Sequence, residues 1–350
     1  MNDPRQSTTA TRSTTGTSPS AARSRDPYID NAKVVLIVLV VVGHLLENVR
    51  AGSADGLYTW IYMFHMPAFV VISGYLSRSF TGTLRQCKAI VAILLVPYLV
   101  FQVVIGLEDW VQTGHLHLNL FVPRMAMWYL LALAAWRLMT PVLRSIPHPF
   151  LISLAVSILS VTFGGVSQDL SAARILSFLP FFTFGLIATP EHVDRFKRIA
   201  AKLWLRWALV VFLLGTLLVA YAGRHVIARK WFYMYGGYDR LGLSNVENML
   251  LRTAVLVVAF TLMLAVLALI PQTHTFLTPM GRNTLYVYLL EIVIIYPLMP
   301  AIHAWSGWSA PTVAALIVGA VLLALALGTP IVQKATRWLV EPTTLGRVAP

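Results

Sequence analysis

The sequence predicts an all-α polytopic membrane protein of about ten transmembrane helices with both termini cytoplasmic, and three observations carry that expectation. Of 350 residues, 57% are hydrophobic and only 12% charged, with a mean hydropathy of +0.72. Two ordinary soluble domains of this length would not have that balance. Apolar runs long enough to cross roughly 30 Å of hydrocarbon recur along the chain. Most of the 27 Lys and Arg residues fall in the connectors on the amino-terminal side of that arrangement, as the positive-inside bias requires.

Taken in order, residues 1–27 are rich in Ser, Thr, Ala and Arg and bury too little apolar surface to order themselves, so a disordered cytoplasmic tail is expected. The first apolar run has no small-residue cleavage signal behind it and is expected to be retained. Candidate spans lie near 32–49, 58–77, 87–107, 125–143, 150–166, 172–188, 204–222, 250–270, 283–303 and 311–333. The fifth and sixth are the shortest and are separated only by "GGVSQDLSA". The basic connector "RFKRIAAKLWLR" marks the inside, whereas "RHVIARKWFYMYGGYDR" opposes it and is expected to be a structured external loop. Residues 28–342 form one membrane domain and 343–350 a short tail. The net charge of +13 is scattered between apolar segments, which fits membrane orientation and not nucleic acid. The single cysteine, Cys87, leaves no intramolecular disulfide to form.

Polar residues inside spans are costly and usually functional. "KVVLIVLVVVGH" sets Lys33 and His44 at the two ends of an unbroken apolar run. On a helix they lie about 20° apart in azimuth and roughly 16 Å apart along the axis. Asp30 and Asn48 share their face and Glu47 stands at its edge. Lys33 reads either as a snorkelling interfacial anchor or as a functional cation. His44 reads as a helix-packing hydrogen bond or as a reactive imidazole. In "FHMPAFVVISGYLSR", Pro67 frees a carbonyl and Gly74 admits a neighbouring backbone. His65 there is a donor for the freed carbonyl or an active group.

These residues resemble the acyltransferase 3 family of integral membrane O-acyltransferases. The basic residue, ten positions and histidine of "YIDNAKVVLIVLVVVGHL" look like that family's opening helix, and "FHMPAFVVISGY" resembles the second helix of its fucose acetylase-like branch. "MWYLLAL", "FLPFFTFG", "GRNTLYVYLLE" and "RWLVEP" are weaker echoes. The resemblance implies transfer of an acyl group, acetyl by default, from cytoplasmic acyl-CoA to a hydroxyl of a carbohydrate or glycosylated acceptor at the cell membrane. It implies no cofactor beyond that donor substrate. By the same analogy His44 is the catalytic histidine and Lys33 occupies the place of the family's basic residue.

The chemistry agrees: an imidazole accepts a hydroxyl proton as the oxygen attacks a thioester, and a cation three turns away holds a phosphate. Asp30 is placed to orient Lys33 from one turn away. Glu47, at i+3 from His44, either holds the histidine's tautomer or is a water-facing carboxylate. Ser73, Tyr75, Arg78, Trp128 and Tyr129 are further substrate-contact candidates. Arg78, Arg85 and Lys88 equally satisfy plain positive-inside topology. Glu291 stands where the family often has histidine, and a carboxylate midway through an apolar span is expected to point into the protein. A transporter of a lipid-linked saccharide or small molecule is the alternative. It would bring repeats or discontinuous helices, and neither is visible. His115 and His117 offer two metal ligands without an evident third, so no metal is expected.

Overall fold

The computed structural model describes residues 25–116, 118–163, 169–235, 238 and 241–342. The tail expected over most of 1–27, the residues 343–350 and His117 lie outside them. All regular structure among the described residues is helical. α1 runs over Pro27–Leu46, opened by Asp26, whose side chain accepts from the Tyr28 amide at 3.0 Å, and by Pro27 at the first turn. α2 spans Gly52–Leu76 and continues through Pro67. α3 (Leu84–Ile90), a π-helical stretch (Val91–Leu95) and α4 (Val96–Thr113) form one long element ending at left-handed Gly114. α5 is Trp128–Ser145, α6 Pro149–Leu159 and α7 Ala172–Ile187. α8 (Pro190–Ala200) follows α7 after a 95° turn. α9 is Leu203–Ala222, α10 Asn245–Leu269, α11 Thr284–Ile295, α12 Met299–Ala304, α13 Ala310–Leu327 and α14 Pro330–Val340.

Among the described residues each of the ten expected apolar segments overlaps helix, but they are not equal. Among the described residues, eight helices are long and apolar enough to cross a membrane, or up to nine if the bent pair α7–α8 is one span. The segment expected at 150–166 is the shorter apolar helix Pro149–Thr162. It leans on α7 through polar links: Ser153 and Thr183 hydroxyls meet at 2.6 Å, and Ser157 Oγ donates to the Ser177 carbonyl at 2.8 Å. Two weak segments thus support one another.

α1 and α2 are the buried centre, with 72% and 78% of their apolar windows inside the protein, whereas α9 has 11%. The α2–α7 crossing brings backbones into contact at two glycines. A Cβ on Gly74 would lie 2.0 Å from the Phe182 carbonyl oxygen, and one on Gly185 would lie 1.9 Å from that of Val71. Small residues at helix crossings allow this approach in membranes. Gly74→Ala and Gly185→Ala are therefore each expected to force the helices apart and cost about 1–3 kcal/mol or more. The check is a lower melting midpoint in detergent, with Gly215→Ala as control, because nothing lies within 4 Å of its Cβ position. An unchanged midpoint in both crossing variants would contradict the contact.

The start of α1 is tied to the segment before α11. Asn31 Nδ2 donates to the Pro271 and Thr273 carbonyls at 2.9 and 2.8 Å, while its Oδ1 accepts from Thr278 at 2.6 Å. A Cβ on Gly281 would stand 2.6 Å from the backbone oxygen of Asp30, so only glycine permits this approach. These ties carry α11, and Glu291 with it, to the side of α1.

Candidate active site

One face of α1 lines a series of cavities. Asp30 and Lys33 border a polar mouth of about 540 Å³ with Arg25, Tyr75 and Arg78. Lys33, Ile37 and Val40 then line an apolar passage of about 210 Å³ with Phe69, Ser73, Tyr129 and Arg137. Val40, His44 and Glu47 line a cleft of about 90 Å³ with Tyr62, His65, Trp128, Arg174, Tyr233 and Tyr288. The spacing 30, 33, 37, 40, 44, 47 is one stripe of an α-helix. Mouth and passage share Lys33 and Leu76, and passage and cleft share Val40, Met66 and Tyr288. Three side chains therefore stand between the passage and the histidine.

At the far end of the stripe, His44 Nδ1 lies 2.6 Å from Glu291 Oε1, and both side chains are buried. A carboxylate only accepts, so Nδ1–H donates to it and the Nε2 lone pair is left for a substrate proton. The carboxylate on the imidazole is thus Glu291, 247 residues away in sequence. Glu47 lines the same cleft, and its backbone carbonyl accepts from Arg229 at 3.2 Å. Glu291 Oε2 has no hydrogen-bond partner among the described residues. Among the described residues the Glu291 carboxylate is therefore held by His44 alone, through Oε1.

Lys33 is not a snorkelling side chain. Its ammonium lies 2.8 Å from Asp30 Oδ1 and donates to the Gly281 carbonyl at 2.5 Å, with only 12% of the side chain exposed. Asp30 also takes Arg25 at 2.8 Å. Arg25, Lys33 and Arg78 face Asp26, Asp30 and Asp194 around the mouth, so its lining is formally balanced in charge. Arg78 stacks its guanidinium 3.7 Å over Tyr75 and donates to the Tyr75 and Ala188 carbonyls at 2.8 and 3.1 Å.

His65 donates from Nδ1 to the Ile61 carbonyl at 2.8 Å. The carbonyl freed by Pro67 belongs to Met63, so the histidine does not serve the proline, and it lines the cleft beside His44. Ser73 and Tyr129 hydroxyls meet at 2.5 Å in the passage. Trp128, its neighbour in sequence, turns into the cleft and packs 5.2 Å from Phe178.

Residues with no role in the sequence reading also arrive. Arg174 lies over Trp128 and Tyr235 at 4.7 and 4.0 Å. The loop after α9 contributes Phe232, Tyr233 and Tyr235 to the cleft, and the Tyr233 and Tyr58 hydroxyls meet at 2.5 Å. Burial, then the Glu47 carboxylate, pushes the Tyr233 phenol up, so it remains a neutral donor. The expected structured loop is therefore a wall of the site. A lone arginine opening a weak apolar segment and the aromatic run "WFYMY" were the available signals. Among the described residues no group of three or more His, Cys, Asp or Glu is gathered for a metal.

A bundle of apolar helices with a buried histidine–carboxylate pair beside a polar cleft defines a multi-pass membrane protein built for group transfer. The chain belongs to the acyltransferase 3 family, whose acyltransferase domain it matches over residues 26–329. It is similar to nodulation protein NolL of Sinorhizobium fredii (strain NBRC 101917 / NGR234), 40% identical over 80 residues. It is also similar to nodulation protein NolL of Mesorhizobium japonicum (strain LMG 29417 / CECT 9101 / MAFF 303099), 45% identical over 67 residues. The matched stretches span 21% and 18% of this chain and 22% and 18% of those proteins. No solved structure matches.

Proposed function

We propose that this protein is a membrane O-acyltransferase that moves an acyl group, acetyl by default, from cytoplasmic acyl-CoA to a hydroxyl of a carbohydrate or glycosylated acceptor. The observation that carries this reading is the line of mouth, passage and cleft along one face of α1, with the His44–Glu291 pair at its end. The donor's nucleotide sits at the polar mouth, among Arg25, Lys33 and Arg78, its uncharged arm lies in the apolar passage, and its thioester reaches His44. An extended chain advances about 3.5 Å per three bonds, so the dozen or so bonds from thioester sulfur to pyrophosphate span roughly 15 Å. Lys33 and His44 are separated by roughly 16 Å along α1. The aromatic walls of the cleft, with Glu47 and Arg174, suit the faces and hydroxyls of a sugar ring.

In this mechanism His44 Nε2 takes the proton of the acceptor hydroxyl as its oxygen bonds to the thioester carbonyl carbon. Glu291 holds the ring in the required tautomer and stabilises the imidazolium. The tetrahedral intermediate collapses with cleavage of the C–S bond, and the CoA sulfur leaves with the proton returned from Nε2. The bilayer is the protein's solvent, and no cofactor beyond the donor takes part.

Both termini belong in the cytoplasm in this reading, with ten crossings over 28–342: the eight long helices, Pro149–Thr162 and the bent pair. Tags at residue 10, in the 195–202 connector and at residue 348 are expected inside, and one near 235 outside. Protease access that places the 195–202 connector outside would separate Lys33 from the CoA pool. The function itself is tested by mass spectrometry of surface glycans and secreted glycosylated metabolites from a deletion strain. Loss of an acyl increment that is restored by the wild-type gene supports the proposal. An unchanged acylation profile together with no thiol release from acetyl-CoA by purified protein would overturn it.

A further inference from the structure

We propose that Arg137 on α5 grips the donor phosphate nearest the thioester arm, an inference that rests on the acyl-CoA reading above. The passage is walled largely by apolar side chains such as Ile37, Phe69, Ile72 and Leu133, and two cations open onto it: Lys33 and Arg137. Their circumstances differ. The Lys33 ammonium is already shared between Asp30 and the Gly281 carbonyl. At the mouth, Arg25 is paired with Asp30, and Arg78 is engaged by two carbonyls and the Tyr75 ring. Arg137 has one long hydrogen bond, Nε to the Ser77 hydroxyl at 3.4 Å, and no carboxylate within ion-pair distance among the described residues.

A half-buried guanidinium of this kind is costly unless something compensates its charge. Its planar fork of donors matches phosphate oxygens, and a phosphate entering an apolar passage needs a cation there. The orientation of Arg137 is built into α5. Leu130, Leu133 and Arg137 lie at i, i+3 and i+7 and share the passage face. The adjacent Trp136 is fully buried and donates from Nε1 to the Ile175 carbonyl of α7 at 3.0 Å, which fixes the rotation of the helix. With the thioester at His44, the first charge the donor carries toward the mouth falls at the level of Lys33 and Arg137. Lys33 with its carboxylate sets the local field, and Arg137 supplies the hydrogen bonds.

The test is CoA binding by calorimetry to the full-length protein in phosphatidylcholine nanodiscs, with melting midpoints measured without ligand. Wild-type protein is expected to bind CoA, Arg137→Gln to bind it about tenfold to a hundredfold more weakly at an unchanged ligand-free midpoint, and Arg137→Lys to recover part of the loss. Equal CoA affinity in wild type and Arg137→Gln overturns the inference and leaves the donor reading standing. A loss that accompanies a lowered midpoint, with no recovery in Arg137→Lys, makes Arg137 structural and also overturns it. If wild-type protein binds no CoA, the donor reading falls and the inference with it. Nanodiscs containing phosphatidylglycerol separate a lipid headgroup from the donor. An Arg137 dependence seen only in the response to that anionic lipid assigns the site to lipid and counts against the proposal.

Discussion

His44→Gln is expected to fold, reach the membrane and bind CoA, yet turn over about two to four powers of ten more slowly at saturating donor. The loss falls on kcat because the imidazole takes a proton only as the carbon–oxygen bond forms. It does not depend on donor concentration, since the mouth and passage assigned to CoA in this proposal are intact in this variant. His44 sits at the last turn of α1, between the buried Gly43 and Leu45, and a glutamine amide there can still donate to the Glu291 carboxylate, so the buried pair is not broken. Size-exclusion profiles and CoA binding establish that the variant is folded, and thiol release from acetyl-CoA with acceptor present gives the rate. A kcat near that of wild type would sink the proposed mechanism.

Glu291→Gln is expected to lower kcat by a comparable order, about two to four powers of ten, with the acyl-CoA KM held. Glutamine keeps the volume of the side chain and an acceptor for Nδ1–H, so the variant should be folded. It removes the negative charge that stabilises imidazolium in a buried site where no other partner of Glu291 is found among the described residues. It also permits the flipped arrangement in which an amide N–H donates to Nδ1 and leaves the proton on Nε2, where the substrate proton should go. Glu291→Ala is a different experiment. Breaking a buried pair costs about 3–5 kcal/mol, so loss of folded protein is its expected outcome. Full activity and expression in Glu291→Gln would exclude a charged role for this carboxylate.

The fate of Glu291 marks where the sequence stopped being informative. Its inward direction was legible, because a carboxylate amid "YVYLLEIVII" is too costly in lipid. Its partner was not. Glu47, three positions from His44, was the local candidate, and local spacing carries no information about a helix arriving from 247 residues away. Arg174, Arg137 and the loop tyrosines were passed over for a related reason. Each reads as a positive-inside residue, a helix flank or a loop aromatic until the packing of α5, α7 and the loop after α9 turns it toward a cavity.

The sequence by itself determined the all-helical membrane class, the close approach at Gly74 and the stripe on α1 from Asp30 to Glu47. All of these follow from properties that the chain expresses locally: the length of an apolar run, the 3.6-residue period of a helix, the absence of a Cβ. The tertiary structure decided that Lys33 is paired and held in place, that Glu291 sits on His44, and that three cavities follow one another along that stripe. In helices such as α11, apolar on nearly every side, the sequence carries little periodic signal of rotation. Lipid tails are as apolar as leucine, so the choice of facing surfaces falls to small-residue contacts and a few buried polar links. Those links are the Asn31 hydrogen bonds, the Gly281 approach and the His44–Glu291 pair, and each joins parts of the chain far apart in sequence.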